Sequence, residues 1–322
     1  MFQAIKAGSG FAPTTEQDWA YADQILKKTG QWETVNRLGG FLDPHLTNGR
    51  LTFTSGNGAY WSDVSAAGTL YFTPYSGGNR IVLRDTSNTR WQEYTFSELS
   101  LSLSSTSNGS LYYVYVYDGG SGPIMYQDGT APVAGTDGIL THPSNAALKA
   151  VGSWYCISGA GYDSSHYRCL FNQYNQVPRF YSLVTTGTYY GLGAGGWRVV
   201  NSDNNNCVVV NGGYNNVYTP IYVKYTGSLV ALSSNQNGVV GLGLNTGSSP
   251  SGFWSGVGVG TIISQQTNVR GIAMGEVWFY TGGAVTVFAL EASPSGGMYF
   301  ENNGVGAGGT TLQLGMTGFI FS

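Results

Sequence analysis

The residues that could do chemistry are few and scattered. Histidines stand at His45, His142 and His166. One run, Asp163-Ser164-Ser165-His166, holds the side-chain types of a hydrolase triad. A working triad needs those groups brought together from separate elements, so adjacent positions are expected to form a polar loop between Gly161 and Tyr167. His142 precedes Pro143 and is expected in a turn. No two histidines stand at metal-ligand spacing, and neither a metal nor a cofactor is expected. A glycan-cleaving site would need two carboxylates at a defined separation. Beyond Asp163 the choices are Asp203, Glu276, Glu291 and Glu301. Glu276 and Glu291 lie in apolar strand candidates, where a buried carboxylate must be paired or neutral. Each reads as a satisfied structural group or an outward-facing residue before it reads as an acid catalyst. The run Gly191-Leu192-Gly193-Ala194-Gly195-Gly196 lacks the Lys-Ser/Thr and the β/α setting of a phosphate loop, and is expected to be a flexible loop.

The aromatic residues point to contact surfaces. Tyr189, Tyr190, Trp197, Tyr214 and Trp254 stand among Asn, Gly and Ser in expected loops. Flat rings beside amides and hydroxyls suit a sugar or a protein epitope, at low entropy cost. These five are the candidate receptor-binding residues. The competing reading places many of them in the core or at a subunit interface.

The elements that hold these residues are read as strands. Charged residues are only 10% of the 322, against roughly 25% in soluble domains. Glycine counts 49 and tyrosine 23, so solubility would rest on hydroxyls and amides in a β-rich chain. The net charge of -3 offers no basic stripe for nucleic acid. No apolar run approaches the ~20 residues of a membrane helix, and residues 1–10 lack the apolar core of a secretory leader. Cys156, Cys169 and Cys207 are expected as buried free thiols, with a Cys156–Cys169 bridge as the alternative.

Three regions are expected: a helical attachment segment over 1–45, a β-sandwich or jelly-roll-like body over 46–225, and a Gly-rich C-terminal β region over 226–322. Nine charged residues lie in the first region. Pro13 and Thr14 open a helix there, with Gln17 as capping-box partner and Gly30 as stop. Trp19, Ala22, Ile25 and Leu26 form its apolar stripe. So short a helix is marginal alone and is expected to dock on a larger assembly. In the body, strands are expected at 51–54, 70–75, 80–83, 91–96, 99–105 and 111–117, then 168–174, 179–184, 197–200, 207–211 and 220–225. Residues 143–150 are expected to form a helical turn. In the last region, strands are expected at 239–244, 260–264, 275–280, 285–291 and 312–321. Forty-nine glycines cost backbone entropy, and association between subunits would offset it.

One stretch carries a family resemblance. Leu70-Tyr71-Phe72-Thr73-Pro74-Tyr75, Ile81-Val82-Leu83, Trp91 and Phe96-Ser97-Glu98-Leu99-Ser100-Leu101 follow one another in order. After them come Tyr113-Val114-Tyr115, Tyr117-Asp118, Asp137-Gly138-Ile139-Leu140 and Asn172-Gln173-Tyr174-Asn175-Gln176-Val177-Pro178-Arg179. This succession, over about residues 51–180, resembles bacteriophage virion structural proteins of the tail-fibre-like kind. The resemblance implies a virion protein made in the host cytoplasm and working without catalysis. It implies a fibre or appendage subunit that contacts other virion proteins and a host-surface glycan or protein. A homo-oligomer, a trimer first, follows from the habit of phage fibres. The alternatives are a capsid decoration protein (cement or head fibre) and a glycan-depolymerising tailspike.

Overall fold

A computed structural model describes residues 43–56, 62–85, 87, 90–184, 190–192, 195–199, 205–214, 219–231, 236–245, 260–264, 269–293, 298–301 and 315–322. The expected helix, with Trp19, Ala22, Ile25 and Leu26, lies outside the described residues. The described elements are strands, and the fold is all-β.

In chain order they begin with β1 (Gly49–Thr52), β2 (Val64–Ala67), β3 (Thr69–Pro74), β4 (Arg80–Arg84), β5 (Trp91–Thr95) and β6 (Leu99–Ser102). Next are β7 (Leu111–Asp118), β8 (Pro123–Asp128), β9 (Val133–Ala134), β10 (Leu140–His142), β11 (Asn145–Ile157) and β12 (Ala160–Asp163). Then come β13 (Tyr167–Arg168), β14 (Leu170–Asn172), β15 (Pro178–Val184), β16 (Tyr190–Leu192), β17 (Gly195–Val199) and β18 (Cys207–Asn211). The last are β19 (Thr219–Ala231), β20 (Gln236–Asn245), β21 (Gly260–Ser264), β22 (Val269–Thr281), β23 (Ala284–Ser293), β24 (Met298–Glu301) and β25 (Gly315–Phe321).

Alternation decides which side of each strand is dry. In β15, Arg179, Tyr181 and Leu183 are buried while Pro178, Phe180, Ser182 and Val184 are exposed. Two sandwich cores result. In one, Tyr181, Ile221, Val223, Phe279, Met316 and Ile320 face Val208, Val210, Leu242, Val285 and Val287. The first set belongs to the sheet β15-β25-β19-β22, and the second to β18, β20 and β23. In the other, Leu51, Leu70, Phe72, Ile81 and Leu83 pack on Val114, Val116, Val151, Trp154 and Leu170. A long mixed sheet runs from β21 to β9 and contributes to both cores. Residues 225 and 226 lie inside β19, so the boundary expected between body and C-terminal region crosses a continuous strand. The buried–intermediate alternation there continues through Gly227.

Residues 143–150 are not a helical turn. His142 pairs with Asn145 across a two-residue hairpin, and β7 lies along Lys149–Tyr155. Ladder pairing and the burial of Leu148 and Ala150 override the helix propensity of Ala146 and Ala147. The cysteines are unbridged, with Cys156 and Cys169 buried and Cys207 half-buried.

Buried polar groups join the layers. The Asn172 carboxamide pairs with Leu51 as a strand would, its Oδ1 accepting from Leu51 N–H at 2.6 Å. Asn175 sits at φ 56° and donates to the Thr47 and Gly49 carbonyls at 2.7 and 3.0 Å. Asp163 accepts from Arg168 Nη1 at 3.2 Å and is ion-paired with Arg179, Nη2 to Oδ2 2.6 Å. Arg50 donates through Nε to the Asn175 carbonyl at 3.2 Å and also to the Ser322 main-chain oxygen. Burial first, and the Arg179 charge second, lower the Arg50 guanidinium to about 10. The Asn-x-Tyr-Asn-x-Val-Pro-Arg run thus ties β1 to β15.

Lys149 is a second tie. Its Nζ faces the carbonyls of Pro44 (2.6 Å), Leu46 (3.2 Å) and Val82 (3.2 Å) and Thr47 Oγ1 (2.7 Å). The Tyr174 ring lies 5.0 Å away.

Candidate functional site

The outer face of the sheet β15-β25-β19-β22 is the candidate site. Register places one ring from each strand in a single row. Phe180 pairs with Phe319, Phe319 with Tyr222, and Tyr222 with Trp278. Their centroids are 6.0, 5.7 and 5.1 Å apart along the row. Phe321 extends the cluster 5.9 Å from Phe319, and Tyr280 stands two residues beyond Trp278 on the same face. Phe180 and Tyr280 are each 64% exposed, Trp278 55% and Phe321 37%.

The layer beneath fixes this face. Tyr181 donates its hydroxyl to the Tyr222 carbonyl at 2.6 Å, and a Cβ on Gly318 would overlap that same carbonyl oxygen. A polar row borders the rings: Ser182, Thr317, Lys224 and Glu276, each paired with the next. Tyr222 donates to Glu276 Oε2 at 3.1 Å. Desolvation, then that hydrogen bond, raises the Tyr222 phenol. Chemically this is an aromatic contact surface bordered by one cation and one anion.

The sequence candidates lie elsewhere. Tyr189 and Trp254 are outside the described residues. Tyr190 and Trp197 lie in β16 and β17, so the expected flexible Gly191–Gly196 loop is partly strand. Tyr214 is not a surface residue. It is 1% exposed and packs edge-on to Phe171 at 5.5 Å and near Tyr113 at 5.8 Å. Gly213 permits this: its φ is 101°, and a Cβ there would press on the Phe171 ring. Burial raises the Tyr214 phenol well above its ordinary value. Its hydroxyl has no hydrogen-bond partner among the described residues. Tyr214→Phe is therefore expected to hold or raise the thermal midpoint. A clear fall in midpoint would contradict this placement.

The titratable candidates are held by structural partners. Asp163 faces two arginines, while Ser165 Oγ donates to Asp63 at 3.2 Å and His166 is exposed. Glu291 is fully buried and accepts from Arg198 Nε at 2.8 Å. Glu276 is exposed beside Tyr222. Asp203 is outside the described residues, and Glu301 ends β24. His142 does more than occupy a turn. Its Nε2 lies 2.9 Å from Asp128, and its Nδ1 lies 2.9 Å from Ser144 Oγ. The Ser144 main-chain N–H also donates to that Nδ1 at 3.2 Å, so the imidazole clamps the hairpin.

Sequence reading missed Phe180, Tyr222, Trp278, Tyr280, Phe319 and Phe321. The available signal was the unbroken apolar runs Val277–Tyr280 and Phe319–Phe321, inside strands whose alternate residues face outward.

No family model matches the chain, and no curated protein matches it. Among solved structures, a Bacillus thuringiensis Cry1Da tryptic core variant is similar at 10% identity and TM-score 0.21, over 89% of this chain and 54% of that one. An exo-beta-1,3-galactanase from Phanerochaete chrysosporium is similar at 12% identity and TM-score 0.16, over 81% and 56%. The chain spans about half the length of each. Likeness at this level carries no argument about fold or activity.

Proposed function

We propose that this chain is a structural subunit of a bacteriophage particle, in a fibre or appendage that holds the host surface without catalysis. The observation that carries the subunit part of this reading is the exposed aromatic face on a sheet buttressed from beneath, a surface for joining another chain of the particle. Such a face serves binding, because it offers apolar contact area on a fixed frame. The succession of motifs from Leu70 to Arg179 supports the virion assignment by resemblance. The buried roles of Asn172, Asn175 and Arg179 give one of those motifs a structural reason.

In this reading the chain works as a homo-oligomer joined to other virion proteins. A host glycan or protein engages aromatic residues, with Tyr189, Tyr190, Trp197 and Trp254 as candidates. Each contact is weak, and several copies on one particle raise attachment through effective concentration. The test is competition. Purified chain added to host cells is expected to reduce adsorption of the parent phage, and Trp197→Ala or Trp254→Ala to relieve the block. Unchanged adsorption at saturating protein, or release of sugars from host polysaccharide by the purified chain, would count against the reading.

A further inference from the structure

We propose that a second copy of this chain covers the aromatic face about a two-fold axis. The proposal rests on reading that face as the binding surface of a particle subunit. Three observations favour it.

Along the aromatic row the strands are apolar on both sides. Phe279 and Ile320 point into the core, yet Trp278, Tyr280, Phe319 and Phe321 occupy the opposite face. A strand with one wet face carries polar residues there, as Ser182 and Thr317 do one row away. Apolar residues on alternate positions of both faces are the pattern of a strand buried on both sides.

The area is large enough. With aromatic side chains of roughly 150–250 Å² each, the exposed parts of Phe180, Trp278, Tyr280 and Phe321 alone come to about 450 Å². That is over half of the roughly 800 Å² that each partner buries in a standard interface.

The face can meet its own copy. Phe180, Phe319 and Phe321 have no polar atom to meet a saccharide hydroxyl. Lys224 stands directly opposite Glu276 in the ladder beside the rings. A patch with one cation next to one anion can meet its own copy with each charge against its opposite, as isologous contact requires. A net charge of only -3 leaves little long-range repulsion between copies.

Light scattering on the eluting full-length chain tests the proposal. Wild type is expected at an even multiple of the 34.2 kDa chain mass. Phe180→Glu/Trp278→Glu is expected to run as a monomer, its self-association weakened at least about 30-fold. Both sites are exposed, so its thermal midpoint should remain that of a folded chain. Lys224→Glu alone should weaken association, and Lys224→Glu/Glu276→Lys should restore it. A monomeric wild type, a three-chain mass, or a double-glutamate variant that keeps the wild-type mass would overturn the proposal. So would a face shielded only in intact particles, which would assign it to a different particle protein. Whether the chain is present in particles at all is read separately by antibody labelling, so the two readings can fail independently.

Discussion

Asp163→Asn is expected to lower unfolding free energy by about 3–5 kcal/mol, the usual cost of removing one partner from a buried charge pair. Asp163 is nearly fully buried, as are Arg168 and Arg179, both of which are ion-paired with it. Arg50 lies close enough for its guanidinium to feel both Arg179 and Asp163. Asparagine keeps the shape but removes the negative charge that these cations face. The low dielectric around them makes the loss much larger than for a surface pair. The damage should be shared by both halves, because Arg179 lies on β15 and Arg50 on β1. Urea unfolding followed by tryptophan fluorescence would show one cooperative transition at a lower midpoint. A shift worth less than about 1 kcal/mol, the scale of a surface pair, would show that the cluster does not hold the layers together.

Lys149 governs the expected pH dependence of stability. Burial pushes its ammonium down to about 7, with Asp43 pulling weakly the other way. In the unfolded chain a lysine titrates near 10.4. Between those values the unfolded chain binds the extra proton, so stability rises with pH, by up to about 1.4 kcal/mol per unit. Below about 7 both states are protonated, and this group gives no slope. Above about 10 the trend reverses. Buried Tyr115, Tyr174, Tyr181, Tyr214 and Tyr225 have raised phenol values, so the folded chain keeps protons that the unfolded chain releases. Lys149→Met should abolish the rise between 7 and 10 and keep the fall beyond it. At neutral pH it should also cost about 3 kcal/mol, because the acceptors around Nζ lose their donor. Urea midpoints of both proteins across this range give the answer. A wild-type profile that is flat from pH 7 to 10 would contradict the burial argument.

Much of the β architecture was legible because its strands are locally self-evident. Leu111–Asp118 alternates Tyr and Val, and Cys207–Asn211 is a β-branched run; both are strands. The hairpin at His142–Asn145 was not legible. Its alanines favour helix, and only pairing with β7 and β10 makes them strand. Tyr214 misled for a related reason. Its neighbours Asn211, Gly212, Gly213 and Asn215 are those of a surface loop, yet Asn211 is fully buried, donating to Ser153 Oγ at 3.1 Å and the Cys169 carbonyl at 3.2 Å. Local polarity marked a satisfied interior network.

The aromatic face was hidden by distance along the chain. Phe180 and Phe319 are neighbours only because β15 and β25 pair along their whole lengths. No local window holds both, although each strand separately shows apolar residues where a wet face is expected. The polar signature ending at Arg179 was visible as a motif, but its buried role depends on Asp163 and on residues 47–51 from another sheet.

The proposed role is that of an attachment subunit on the outside of a phage particle. Gold-labelled antibody against the chain, imaged on intact particles of the parent phage, tests it most directly. Label on a tail fibre or appendage is expected. Label spread over the head, or particles that carry none, would contradict it.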